Sequence, residues 1–160
     1  MRHDQVIWAL IMDGARGQVF DLTLSPLRLT ARTDGHFEGS RLTTRELTSD
    51  RPGHGHESVG TSRHALEPRT DAHRHAEETF AAGIAKSLAK SGDLGAFDQL
   101  ILVAPPRALG DLRAHLPKRL RDKKVKLEIA GDWTKLTSHE AAKHLRPHLL
   151  DSGFKSAAIE

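Results

Sequence analysis

The chain has 160 residues, 38% of them apolar and 28% charged, with a formal net charge of +3. That composition excludes fibrous and disordered classes and predicts one α/β domain over residues 1–150, followed by a loose tail over 151–160. There is no cysteine, which excludes a disulfide framework and thiolate metal sites.

Val6 to Met12 is a continuous apolar run, the pattern of a strand buried on both faces. At seven residues it is too short for a signal core or a membrane span. No membrane insertion is expected, and the expected compartment is the cytoplasm. Asp13-Gly14-Ala15-Arg16-Gly17 supplies turn chemistry. Gln18 to Leu24 reads as a second strand ended by Ser25-Pro26, and Leu27 to Arg32 alternates as a half-exposed third. The short links predict an antiparallel meander.

Residues 33–68 are rich in Gly, His, Arg, Ser and Thr and read as a long loop, of the kind that carries function. Within it, Ser49-Asp50-Arg51-Pro52-Gly53-His54-Gly55-His56-Glu57-Ser58 suits an exposed tip, since alternating glycines make a poor core element. A helix capped by Thr70 or Asp71 follows, with Ala76, Phe80, Ile84 and Leu88 as its apolar stripe and Ser91-Gly92 as its end. Leu100 to Ala104 is a second fully apolar strand, stopped by Pro105-Pro106. The next helix starts near Ala108 and buries Leu109, Leu112, Leu116 and Leu120, with Pro117 kinking it or splitting it in two. Val125, Leu127 and Ile129 alternate as a half-exposed edge strand. Thr137 and Glu140 have capping-box spacing and open a last helix that frays near Pro147. Three strands followed by helix–strand–helix–strand–helix predict a mixed five-stranded sheet with packed helices, of ribonuclease-H-like topology.

Several chemistries are weighed against these residues. Two-metal phosphodiester hydrolysis needs converging carboxylates. Asp13 and Glu77 or Glu78 are suitably placed, but Leu100 to Ala104 ends in Ala-Pro-Pro where another would be wanted, which leaves only Asp132. The histidines lack metal-ligand spacing, so no metal site is expected. Gly-x-Ser-x-Gly, Gly-x-Gly-x-x-Gly and a Walker lysine are absent, and no cofactor is expected. Between Arg107 and Lys126 eight basic residues face only Asp111 and Asp122. Arg107, Arg113, Arg119, Arg121, Lys123 and Lys124 are therefore candidates for anion or RNA phosphate binding. Five Phe, two Trp and no Tyr argue against a base-stacking platform. No DNA specificity is expected.

Asp13-Gly14-Ala15-Arg16, Ser49-Asp50-Arg51-Pro52-Gly53, Ala104-Pro105-Pro106-Arg107 with Leu109-Gly110 and Leu112-Arg113, and Asp132 together resemble the bacterial host attachment protein family. The resemblance runs from about Val6 to Leu149. That family is in turn similar to the middle domain of archaeal and eukaryotic class I release factors. Those factors carry Gly-Arg-Gly-Gly-Gln-Ser in a long loop before a helix. Gly53, Gly55 and Ser58 agree with that string, while His54, His56 and Glu57 replace its arginine, second glycine and glutamine. The resemblance implies a non-enzymatic cytoplasmic binding module that affects attachment indirectly, with the ribosome, tRNA, another RNA or a protein as partner. The alternative it implies is a hydrolase of peptidyl-tRNA esters, with Glu57 as base assisted by His54 or His56.

Overall fold

The computed structural model describes residues 5–39 and 66–154, with the backbone alone for 66–70. Three strands open the chain: β1 (Ile7–Met12), β2 (Arg16–Leu24) and β3 (Leu27–Glu38). Helix α1 (Leu66–Asp93) leads to β4 (Gln99–Ala104), followed by helices α2 (Pro106–His115) and α3 (Lys118–Lys123). Strand β5 (Val125–Ala130) and helix α4 (Ser138–Asp151) complete the described elements. The five strands form one sheet in the order β3-β2-β1-β4-β5. β1–β2 and β2–β3 are antiparallel, and β1–β4 and β4–β5 parallel. This is the mixed α/β sheet expected from the sequence.

The apolar runs behave as their lack of alternation requires. In β1, Trp8, Leu10 and Met12 join one core with Ile84 and Leu88 of α1 and Leu109 and Leu112 of α2. Ile7, Ala9 and Ile11 join a second core with Ala141, Leu145 and Leu149 of α4. β4 divides in the same way, so the two central strands are covered on both faces. Burial is the dominant driving force here, at roughly 25 cal/mol per Å² of apolar surface.

Some boundaries, and one helix face, differ from the sequence reading. β3 continues to Glu38, where a loop was expected from Thr33. Between Gln18 and Phe20 its register with β2 shifts, from His36 to Ala31, so Arg32 to Gly35 interrupt the alternation that marks a strand. Gly35 permits this: a Cβ there would lie 2.8 Å from Val19 Cβ. α1 begins at Leu66, so Thr70 and Asp71 are inside it. Pro68 is tolerated because the first turn has no intrahelical partner for its N–H. The inward face of α1 is Ala81, Ile84, Ala85 and Leu88, whereas Ala76 and Phe80 are half-buried. A run of four-residue steps drifts around a helix of 3.6 residues per turn, which carries Ala76 off the core and leaves Phe80 packed at its edge.

Pro117 does split its helix, standing at the N-cap of α3. Pro147 does not end α4. The helix runs on to Asp151 because Pro147 faces solvent while Leu145 and Leu149 are buried on the sheet, and that packing offsets the one backbone bond lost. The capping box forms as read: Glu140 N donates to Thr137 Oγ1 (3.1 Å) and Thr137 N to Glu140 Oε1 (3.0 Å). The bond from the Thr137 backbone N–H, followed by the Thr137 side chain, holds the Glu140 carboxyl below its ordinary range. After Asp151, Gly153 takes φ +72° and Phe154 packs on the second core.

Candidate functional site

The parallel strands β1, β4 and β5 end together at Met12, Ala104 and Ala130, the edge at which α/β sheets commonly bind ligands. Asp13 follows β1. Its Oδ1 accepts from the backbone N–H groups of Ala15 and Arg16, both at 2.8 Å, and closes the turn into β2. Asp132 follows β5. Its Oδ1 accepts from Thr134 N (3.1 Å) and Thr134 Oγ1 (2.7 Å). The Thr134 hydroxyl is also 3.2 Å from Asp13 Oδ2, so one side chain ties the two loops together. That hydroxyl is the chief reason the Asp132 carboxyl lies below its ordinary value of 3.8, with the Thr134 backbone N–H next.

The neighbouring motif residues also hold backbone. Pro105 is extended and Pro106 opens α2, where a missing N–H and a preset φ suit the first helical position. Gly131 N donates to Ala104 O at 2.9 Å, joining the ends of β4 and β5. A Cβ on Gly14 would fall 2.5 Å from Glu77 Oε2, because the β1–β2 turn approaches α1 closely. Gly110 is exposed, and nothing in the structure requires glycine there. Among the described residues, no group of three His, Asp or Glu side chains is placed to hold a metal ion. Asp50, Arg51, Pro52, Gly53, His54, Gly55, His56, Glu57 and Ser58 lie outside the described residues.

The basic run between Arg107 and Lys126 is not one patch. Arg107 stands in the first turn of α2, at the C-terminal edge of the sheet. The α3 cations follow ten-residue α2, which spans about 15 Å at 1.5 Å per residue. Arg113 Nε donates to Glu128 Oε1 at 2.6 Å. Lys124 turns inward, donating to the carbonyls of Phe97 (2.7 Å) and Gly92 (3.1 Å) with its ammonium 5.1 Å from the Phe97 ring centroid. It holds the α1–β4 connection. On α3, Arg119 pairs with Asp93 (2.8 Å) and Lys118 with Asp122 (2.6 Å). The Lys118 bond is the main cause that lowers the Asp122 carboxyl, and Arg121 adds to it. Arg107, Arg121 and Lys123 make no ion pair with another described residue.

A family model described as "Protein required for attachment to host cells" matches residues 8–145. The chain belongs to this host attachment family. The match extends from Trp8 in β1 to Leu145 in α4, and so takes in all five strands except Ile7. Among solved structures, this host attachment protein is similar to an archaeal translation termination factor, with a TM-score of 0.38 and 12% identity. The similarity covers 95% of this chain and 41% of that one, so the chain spans about two fifths of the factor's length. A search of curated proteins finds no match.

One ion pair in this host attachment protein was not legible in the sequence. Asp111, only 9% exposed, is bound bidentately by the Arg74 guanidinium and joins α2 to α1. This bond is the main cause that raises the Arg74 pKa above its ordinary value. The partners are 37 residues apart, and a single aspartate beside the apolar stripe of α2 carries no local sign of the arginine that covers it.

Proposed function

We propose that this host attachment protein is a non-enzymatic binding module that contacts the phosphate backbone of RNA, free or ribosomal, through α3, and that it affects attachment to host cells through that partner. The observation that carries this reading is the state of the α3 charges. Lys118, Arg119, Arg121 and Lys123 oppose one acid within the helix. Two of the four have no described ion-pair partner, and the other two sit in exposed pairs. Such pairs are worth about 0–1 kcal/mol, so phosphate can replace the carboxylate at little cost. The carboxylates at the strand ends, by contrast, are occupied with holding loops.

Among the described residues no helix is long and apolar enough to cross a membrane, and the proposal requires a cytoplasmic location. The test is the salt dependence of binding to a mixed-sequence RNA. Replacing Arg121 and Lys123 by Gln removes two phosphate contacts, which should weaken binding and reduce the log–log salt slope by about 1.4 for single-stranded RNA. Unchanged affinity and slope would reject α3 as the contact. An ester hydrolase would draw its chemistry from Gly53 to Ser58. Peptidyl-tRNA turnover by the wild type that is lost in Glu57→Ala would replace the binding reading with that one.

A further inference from the structure

On the α4 face of the sheet, the helix covers the centre and leaves one corner open. Alternation along β2 turns Arg16, Gln18 and Phe20 to this face, and the pairing of Gln18 with His36 brings His36 beside them. The loop from Trp133 to Leu136 stands over the corner and encloses a cleft of about 210 Å³. Its apolar lining comes from Ile11 and Phe20 on the sheet and from Trp133 and Leu136 in the loop.

The polar groups around the cleft differ in how far they are committed. The Gln18 amide donates to Val19 O (2.9 Å) and Arg32 O (2.8 Å), which turns its oxygen towards His36 Nδ1 at 3.3 Å. His36 Nε2 faces Glu38 Oε1 at 3.1 Å, so this wall is held in place. The Thr134 hydroxyl is bound to Asp132. Arg16 is different: its side chain is 49% exposed, and its nearest acceptors are Thr134 Oγ1 at 3.5 Å and Asp13 Oδ2 at 3.6 Å. Charge-assisted bonds are normally about 2.7–2.9 Å long, so the guanidinium fork is largely unused. Asp13 is kept from closing on it by the two backbone N–H groups it already caps.

We propose that this cleft binds a small aromatic monocarboxylate. The carboxylate lies on the Arg16 fork and the ring on Trp133 and Phe20. A guanidinium matches a planar carboxylate bidentately, and an indole and a phenyl side chain offer offset or edge-to-face contact. A dianion fits less well, because Asp13 and Asp132 stand behind the single arginine. The site lies on the opposite face of the sheet from α3 and does not depend on RNA binding.

Phenylacetate is the probe, and the two indole N–H signals in a nitrogen–proton NMR spectrum are the readout. Trp133 lines the cleft, while Trp8 is buried in the other core and serves as internal control. Phenylacetate should move the Trp133 signal saturably and leave the Trp8 signal in place. Phenylacetamide, with the same shape and no charge, should bind about tenfold or more weakly, as should phenylacetate to Arg16→Gln. An unmoved Trp133 signal at millimolar phenylacetate would overturn the proposal. Equal binding of acid and amide would overturn it as well, and that comparison needs no variant.

Discussion

Asp13 and Asp132, at the ends of β1 and β5, accept hydrogen bonds from Ala15, Arg16 and Thr134, and each closes a turn of its own chain. Among the described residues, the cations of α3 make no comparable bonds to backbone. Lys118 and Arg119 hold exposed carboxylates, and Arg121 and Lys123 hold none among the described residues. Both regions carry charge at high local density, yet one is consumed by the fold and the other stands on it. A charged motif therefore indicates a contact surface only once its intramolecular partners have been subtracted.

The comparison can be broken at four points. The largest effect is expected at Leu120, the one buried residue of α3, whose side chain packs beside Gly92. Leu120→Ala should cost about 2–4 kcal/mol in denaturant unfolding and should weaken RNA binding by loosening the helix that presents the cations. Asp13→Ala comes next. It leaves two backbone N–H groups without their acceptor, should cost about 1–2 kcal/mol, and should leave RNA affinity at the wild-type level. Loss of RNA binding in a folded Asp13→Ala protein would reverse the assignment of the two regions.

Thr134→Val is expected to cost about 0.5–1.5 kcal/mol near neutral pH and to change the acid limb of stability. The folded Asp132 pKa lies below its ordinary 3.8. Its contribution is therefore present above that pH and is lost as the pH falls through the folded value. Removing the hydroxyl, the main cause of the shift, should flatten the acid limb in urea titrations repeated at several pH values below 4. The smallest effect is expected for Arg119→Gln. Its pair with Asp93 is 61% and 56% exposed, so thermal unfolding should shift by no more than about 0.5 kcal/mol while RNA binding falls. A large loss of stability would mean that α3 too is fastened by its charges.

Much of the sheet was legible because its signals are local. Ile7–Met12 and Leu100–Ala104 lack alternation because both faces are buried, and Thr137 with Glu140 forms the capping box its spacing requires. What escaped depends on residues distant in sequence. The end of β3 was missed because a register shift breaks the period-two pattern that identifies a strand. Pro147 was read as a fraying point, since nothing local shows that Leu145 and Leu149 are held by the sheet on either side of it. The run from Arg107 to Lys126 reads in the sequence as a local excess of positive charge opposed only by Asp111 and Asp122. The partners that divide it, Asp93, Glu128 and the carbonyls of Gly92 and Phe97, come from other elements. The strand-end motif was recognisable as Asp13, Pro105, Pro106 and Asp132, but its link through Thr134 spans 121 residues and had no sequence signal.

The most direct test maps backbone amide shifts during titration with a mixed-sequence RNA oligonucleotide. The account predicts that the shifts gather on Lys118 to Lys123 and the adjoining end of α1 near Asp93, and that they fade as salt is raised. Shifts centred on Asp13 to Arg16 and Asp132 to Leu136, with α3 unmoved, would contradict it and make the strand ends the contact surface.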